Sequence, residues 1–145
     1  YPIMKKVAED FGDRVKFSYR HFPLKDIHPN SELAARVAEE AGLQGKFWEM
    51  HDVIFENQEL WSASTNARQM FLTYAGVIGL DADRLEADID SPEVADKVES
   101  DYQTGFTLQV FGTPTFFLNG VKLTPNPRSY DEFKIILETA LKQAA

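Results

Sequence analysis

The chain has 145 residues, a net charge of −8 and no cysteine. That length carries one domain with a core of its own, and the acidic balance argues against a nucleic-acid partner, which needs clustered Lys and Arg. No run of about 18 apolar residues occurs, so nothing reads as a membrane span; the missing cysteines fit an oxidising compartment and the cytosol equally.

Taken in order, Ile3, Met4, Val7, Ala8 and Phe11 recur three and four apart, which predicts a helix over 1–11. Gly12 should end it in the left-handed conformation. No capping Ser, Thr or Asp precedes that stripe, so the chain reads as opening inside a helix, and Tyr1 does not read as a biological start. Val15, Phe17 and Tyr19 alternate with Lys16, Ser18 and Arg20, the period of a strand over 14–21. Phe22-Pro23-Leu24 closes it, and a turn spans Asp26 to Asn30.

Leu33, Ala34, Val37, Ala38 and Ala41 define a helix over roughly 30–42 with Gly42 at its end. Residues 45–58 form another, where Phe47, Trp48, Met50, His51, Ile54 and Phe55 cover more than one stripe and predict packing on two sides. A further helix is expected near 65–78, then a short one capped by Asp81 and running to about 89. Ser91-Pro92 restarts the pattern, serine as N-cap and proline in the first turn. Val94, Val98, Tyr102 and Phe106 then recur every four residues along a long helix.

That helix leads to Phe-Gly-Thr-Pro-Thr-Phe-Phe-Leu-Asn-Gly, residues 111–120. Thr115 to Leu118 read as a short strand, Asn119-Gly120 as a two-residue turn, and Val121 to Leu123 as the returning strand. Pro114 has no N–H to donate, so it sits at a sheet edge, a bulge or a bend. Ser129 with Glu132 makes a capping box, and Phe133, Ile136, Leu137, Ala140 and Leu141 follow at amphipathic spacing in a final helix.

Gly112-Thr113-Pro114 with the hairpin after it resembles the cis-proline loop of DsbA-like thiol–disulfide oxidoreductases, within the thioredoxin-fold superfamily. Phe22-Pro23-Leu24, His28-Pro29-Asn30 and the run from Gly45 to Asp52 resemble segments of the same family, so the likeness covers nearly the whole chain. It implies an α/β class: one thioredoxin-like domain over 1–145 with a helical insertion at about 28–108. It also implies a cis bond before Pro114 and substrate binding by Gly112, Thr113 and Pro114. The partners implied are protein or peptide thiols and disulfides and a redox partner protein, without a cofactor, in the bacterial periplasm or at the cell surface.

One part of the pattern is absent. The family's Cys-x-x-Cys opens a helix where backbone N–H groups and the helix dipole lower the thiolate pKa, and the resemblance puts it just upstream of Tyr1. The resemblance also implies that the first, central strand and the start of the first helix lie outside this chain. That strand would stand between 14–21 and 115–118. Losing four buried apolar residues with it would cost roughly 6–12 kcal/mol, against a domain stability of about 5–15 kcal/mol, so the fold is expected to need that strand from upstream or from another chain. A glutathione-dependent isomerase or transferase of the same fold, and a peptide-binding module without redox activity, remain alternatives.

Other constellations give way to simpler readings. His21, His28 and His51 lack the spacing of a zinc site and read as packing or loop residues. Asp81, Asp83, Asp88 and Asp90 lack the glycine and terminal glutamate of a calcium loop and read as a capped acidic helix. Phe47, Trp48 and Phe55 could line a pocket, but a packed helix suffices. No nucleophile elbow, phosphate loop or dinucleotide fingerprint occurs.

Overall fold

A computed structural model describes all 145 residues, and it is mostly helical with one small sheet. The chain runs α1 (Pro2–Phe11), α2 (Ser31–Leu43), α3 (Phe47–Glu56), α4 (Gln58–Trp61), α5 (Ala67–Val77), α6 (Ala82–Asp88), α7 (Pro92–Thr107), β1 (Phe117–Leu118), β2 (Val121–Lys122) and α8 (Tyr130–Ala144). It divides into two compact units, residues 1–19 with 112–145, and residues 20–111. The second contains the whole helical run expected at about 28–108.

In the first unit α1 and α8 pack together through Val7, Phe11, Phe133 and Leu137, all buried. Met4, Val15, Phe17, Phe116 and Leu118 close around that cluster. β1 and β2 form an antiparallel hairpin in which Phe117 faces Lys122 and Leu118 faces Val121. Asn119 and Gly120 both take positive φ (49° and 81°), as the two-residue turn requires. Ser129 caps α8 by accepting from the Glu132 N–H at 3.2 Å. The Glu132 carboxylate reaches one residue past the capping-box position, to the Arg128 N–H at 2.6 Å.

Several boundaries differ from the sequence reading. The strand expected at 14–21 is not a strand: Val15 and Phe17 turn inward and Lys16 and Ser18 outward, but no neighbouring backbone supplies a ladder. Alternation reports two faces, whereas a strand also needs a partner. Residues 14–21 accordingly do not pair with 115–118, and the strand there shrinks to Phe117–Leu118. Gly12 is not left-handed but has φ −61° and ψ −22°. Glycine suits it because a Cβ would meet the Ala8 carbonyl oxygen at 2.6 Å.

In the second unit α2 is the central helix, in contact with α3, α5, α6 and α7. Its Ala34, Val37, Ala38 and Ala41 meet Met50, Ile54, Trp61, Phe71 and Leu85 in one buried cluster. The helix runs through Gly42, and Gly45 at φ 80° supplies the left-handed residue after it. The single helix expected over 45–58 breaks at Asn57, whose side chain donates to the Val53 carbonyl at 2.9 Å. Asp81 and Ser91 cap α6 and α7 by accepting from the Arg84 and Val94 N–H groups. Asn30 donates to the carbonyls of Trp61 and Ser64, fixing the loop after α4.

Residues 20–24 have no strand partner and are held by side chains. Asp101, only 5% exposed, accepts from Lys97 at 2.6 Å and from the His21 N–H at 3.1 Å. The His21 ring lies 3.1 Å from Glu39 and edge-on to Phe47. Phe22 packs against Tyr102 and Phe106 of α7 and lies over Gly105, where a Cβ would stand 2.5 Å from its ring.

Gly105→Ala is therefore expected to destabilise the chain by about 1–3 kcal/mol through overpacking, although alanine gains about 1 kcal/mol in helix propensity; chemical denaturation gives the difference, and a stabilised variant would contradict the packing. Burial pushes the His21 imidazole below its ordinary value, against the opposing pull of Glu39. The unfolded chain then binds the extra proton, so this stability is present above about pH 6.5 and is lost as pH falls. The Arg36 hydrogen bond holds Glu32 below the usual carboxylate range, with the same sign at lower pH. Denaturation midpoints should fall between pH 7.5 and 5.5, and His21→Asn should flatten that slope.

Candidate functional site

After α7 the chain turns through Gln109, at φ 56°, and enters the loop containing Gly112, Thr113 and Pro114. The Thr113–Pro114 peptide is cis, as the resemblance implies. A second cis bond, which the sequence reading did not anticipate, precedes Pro125. Thr113 and Pro114 are exposed, and Gly112 is half-buried.

The loop is tied down on both sides of Thr113. Thr115 Oγ1 donates to the Gly112 carbonyl at 2.7 Å. Asn126 Nδ2 donates to the Pro114 carbonyl, and Asn126 lies 12 residues downstream on the chain after β2. The Phe116 carbonyl accepts from the Leu123 N–H at 2.8 Å, extending the hairpin toward the loop. The Phe116 ring meets Phe133 of α8 edge-on, with centroids 4.8 Å apart, which anchors the start of the hairpin on the core. At the other end of α8's first turn, Tyr130 Oη donates to Asp10 of α1. That bond raises the Tyr130 pKa above its ordinary value.

Thr113 itself is left with an N–H and a C=O that no group in the chain engages. Pro114 offers no N–H, and the carbonyls flanking Thr113 have acquired donors. Thr113 thus carries one backbone donor and one backbone acceptor that the chain leaves unengaged. Thr115 and Asn126 were missed by the sequence reading. The signal for Asn126 lies in Pro125-Asn126-Pro127, a polar side chain set between two residues that cannot donate from the backbone.

The other polar residues singled out from sequence do not join this loop into a catalytic group. His21 is buried beside Glu39, His28 lies in an exposed turn, and His51 pairs with Asp52 at 3.0 Å. No group of three His, Asp or Glu side chains is arranged to hold a metal ion. Asp81 is occupied as a helix cap, and Asp88 and Asp90 pair with Arg84, Arg36 and Arg68. Phe47 packs against the core of the second unit, while Trp48 on the same helix stays 47% exposed.

A cis-proline loop opening a hairpin that packs on a terminal helix, with a helical run between the two halves of its unit, defines a thioredoxin-like domain. The chain belongs to the DSBA-like thioredoxin domain family, whose profile matches residues 2–137. A thioredoxin-like oxidoreductase from Silicibacter pomeroyi DSS-3 shares the fold with a TM-score of 0.71 at 24% identity, over 97% of this chain and 78% of that one. Among curated proteins, the Na(+)/H(+) antiporter NhaA 1 of Salinispora arenicola is 38% identical over 120 residues, 82% of this chain. The Na(+)/H(+) antiporter NhaA of Herminiimonas arsenicoxydans is 38% identical over 113 residues, 78% of this chain. The chain spans 17% of the length of each of these two antiporters. No helix of the chain is long and apolar enough to cross a membrane.

Proposed function

We propose that residues 1–145 form the protein-substrate platform of a DsbA-like thiol–disulfide exchange domain, with Gly112, Thr113 and Pro114 gripping an extended segment of the substrate. The observation that carries this reading is Thr113, exposed and with both backbone groups unengaged between two occupied carbonyls. A segment passing it in extended form gives one hydrogen bond and takes one, the first rung of strand addition. Such a rung reads backbone rather than side chains. The substrate class is accordingly broad: protein or peptide thiols and disulfides.

Exchange needs a thiolate that attacks one sulfur of a disulfide, forms a mixed disulfide and releases the other sulfur as thiolate. This chain has no cysteine, so both active thiols would come from outside residues 1–145. A redox partner protein would then return that pair to its starting oxidation state, and no further cofactor is required. On this reading the reaction runs in an extracytoplasmic space, the bacterial periplasm or cell surface, where disulfides persist.

A second reading is a binding module that grips extended segments and exchanges no disulfides. The absence of cysteine within residues 1–145 favours it. Establishing whether a Cys-x-x-Cys is joined to this chain in the cell separates the two. A serine or lone cysteine there would point instead to glutathione-dependent chemistry.

Alone, the 145-residue chain is expected to reduce no insulin and oxidise no dithiol above a no-protein control; activity there, with contaminating thiol proteins removed, would overturn this assignment of roles. Amide resonances of Gly112, Thr113 and Thr115 should shift when an end-blocked Val/Thr hexapeptide is titrated in. Thr113→Ala should leave that binding within about twofold, because the backbone is kept. Thr113→Pro should abolish it while resonances of α8 stay in place. Equal loss in both variants would mean that the side chain, not the backbone, makes the contact.

A further inference from the structure

We infer that Asn126 is a positioning residue that sets the register in which a substrate segment meets the loop, an assignment that rests on the reading of Thr113 given above. Five backbone groups at Gly112–Pro114 are able in principle to pair with an incoming strand. They are the carbonyls of Gly112, Thr113 and Pro114 and the N–H groups of Gly112 and Thr113, because Pro114 has none. Thr115 takes the Gly112 carbonyl through its hydroxyl at 2.7 Å. Asn126 takes the Pro114 carbonyl through its side-chain amide. Thr113 then remains as the residue with both a donor and an acceptor to offer.

Register is the property at stake. A strand that slips by one residue turns every side chain to the opposite face. With the Pro114 carbonyl open, a passing N–H would have two neighbouring acceptors and two competing registers. Asn126 removes the second acceptor. It also does so from the chain beyond β2, tying the loop to the returning arm of the hairpin across 12 residues of sequence. Thr115 is local to the loop, so its bond cannot make that long connection. For a substrate thiol or disulfide, a fixed register decides which residue of the segment is held at a constant distance from the attacking sulfur.

The test uses residues 1–145 within their full natural polypeptide, labelled with ¹⁵N, and the end-blocked Val/Thr hexapeptide as probe. Asn126→Ala and Asn126→Asp both remove the donor, and Asn126→Gln keeps it on a longer stem. Binding is expected to weaken about tenfold in the Ala and Asp variants and to recover at least in part in the Gln variant. Peptide-induced shifts confined to Gly112–Thr115 in wild type should spread to Phe116 and Phe117 in the Ala variant, a redistribution that general destabilisation would not produce. Denaturation midpoints of all four proteins identify any variant weakened only through its fold. If the peptide binds wild type and Asn126→Ala with equal affinity and the same shift pattern, the role assigned to Asn126 is wrong while the platform stands. If wild type shows no shift at residues 112–115, the platform fails and the positioning role fails with it.

Discussion

In the unit that carries the loop, the constraint on everything else is how little backbone pairing there is. A two-residue hairpin contributes few ladder hydrogen bonds, and an isolated hairpin is marginal in water. Position and direction of the loop therefore rest on apolar contact together with the side-chain bonds from Thr115 and Asn126. Phe116 sits against Phe133, and Phe133 and Leu137 of α8 sit against Val7 and Phe11 of α1. Phe116 is two residues from Pro114, so the same ring that fills the core also orients the exposed backbone. Removing it would loosen the site and the core together.

The helical unit solves a different problem. It is strongly acidic, and several of its carboxylates are drawn into pairs with bases: Glu32 with Arg36 and Lys25, Glu86 and Asp90 with Arg68, Asp101 with Lys97. Exposed pairs of this kind contribute little individually. Asp101 differs because it is buried and accepts a backbone N–H as well, which makes its loss costly. Glu40 is fully buried with one oxygen unpartnered, and its other oxygen accepts from Gln44.

Helices were legible in the sequence because their signals are local. The Ser91-Pro92 restart, the Asp81 cap and the amphipathic run of α8 each specify an element within a few residues. The hairpin was legible for the same reason, through Asn119-Gly120. Strand pairing was not, since Val15 to Tyr19 alternate correctly and yet lie beside no second strand. At the loop, Gly112, Thr113 and Pro114 stood out by resemblance to a family. Thr115 and Asn126 did not, because a side chain bonding a carbonyl leaves no periodic mark. The same holds for Asn30, whose amide serves carbonyls more than thirty residues away.

The extended segment from Arg20 to Leu24 joins two properties that usually travel apart. It is held by the buried carboxylate of Asp101, which accepts from the His21 N–H, by the glycine notch of α7 that receives Phe22, and by the closed surroundings of the His21 ring. Its backbone has no ladder, and the amide that the chain does engage, the His21 N–H, is taken by the Asp101 side chain. Such a segment is well defined in position without a ladder to shield it: apart from the His21 amide, its protons are expected to trade with solvent while its rings barely move. Slow solvent exchange and a fixed conformation are commonly read as one quantity, and here they separate.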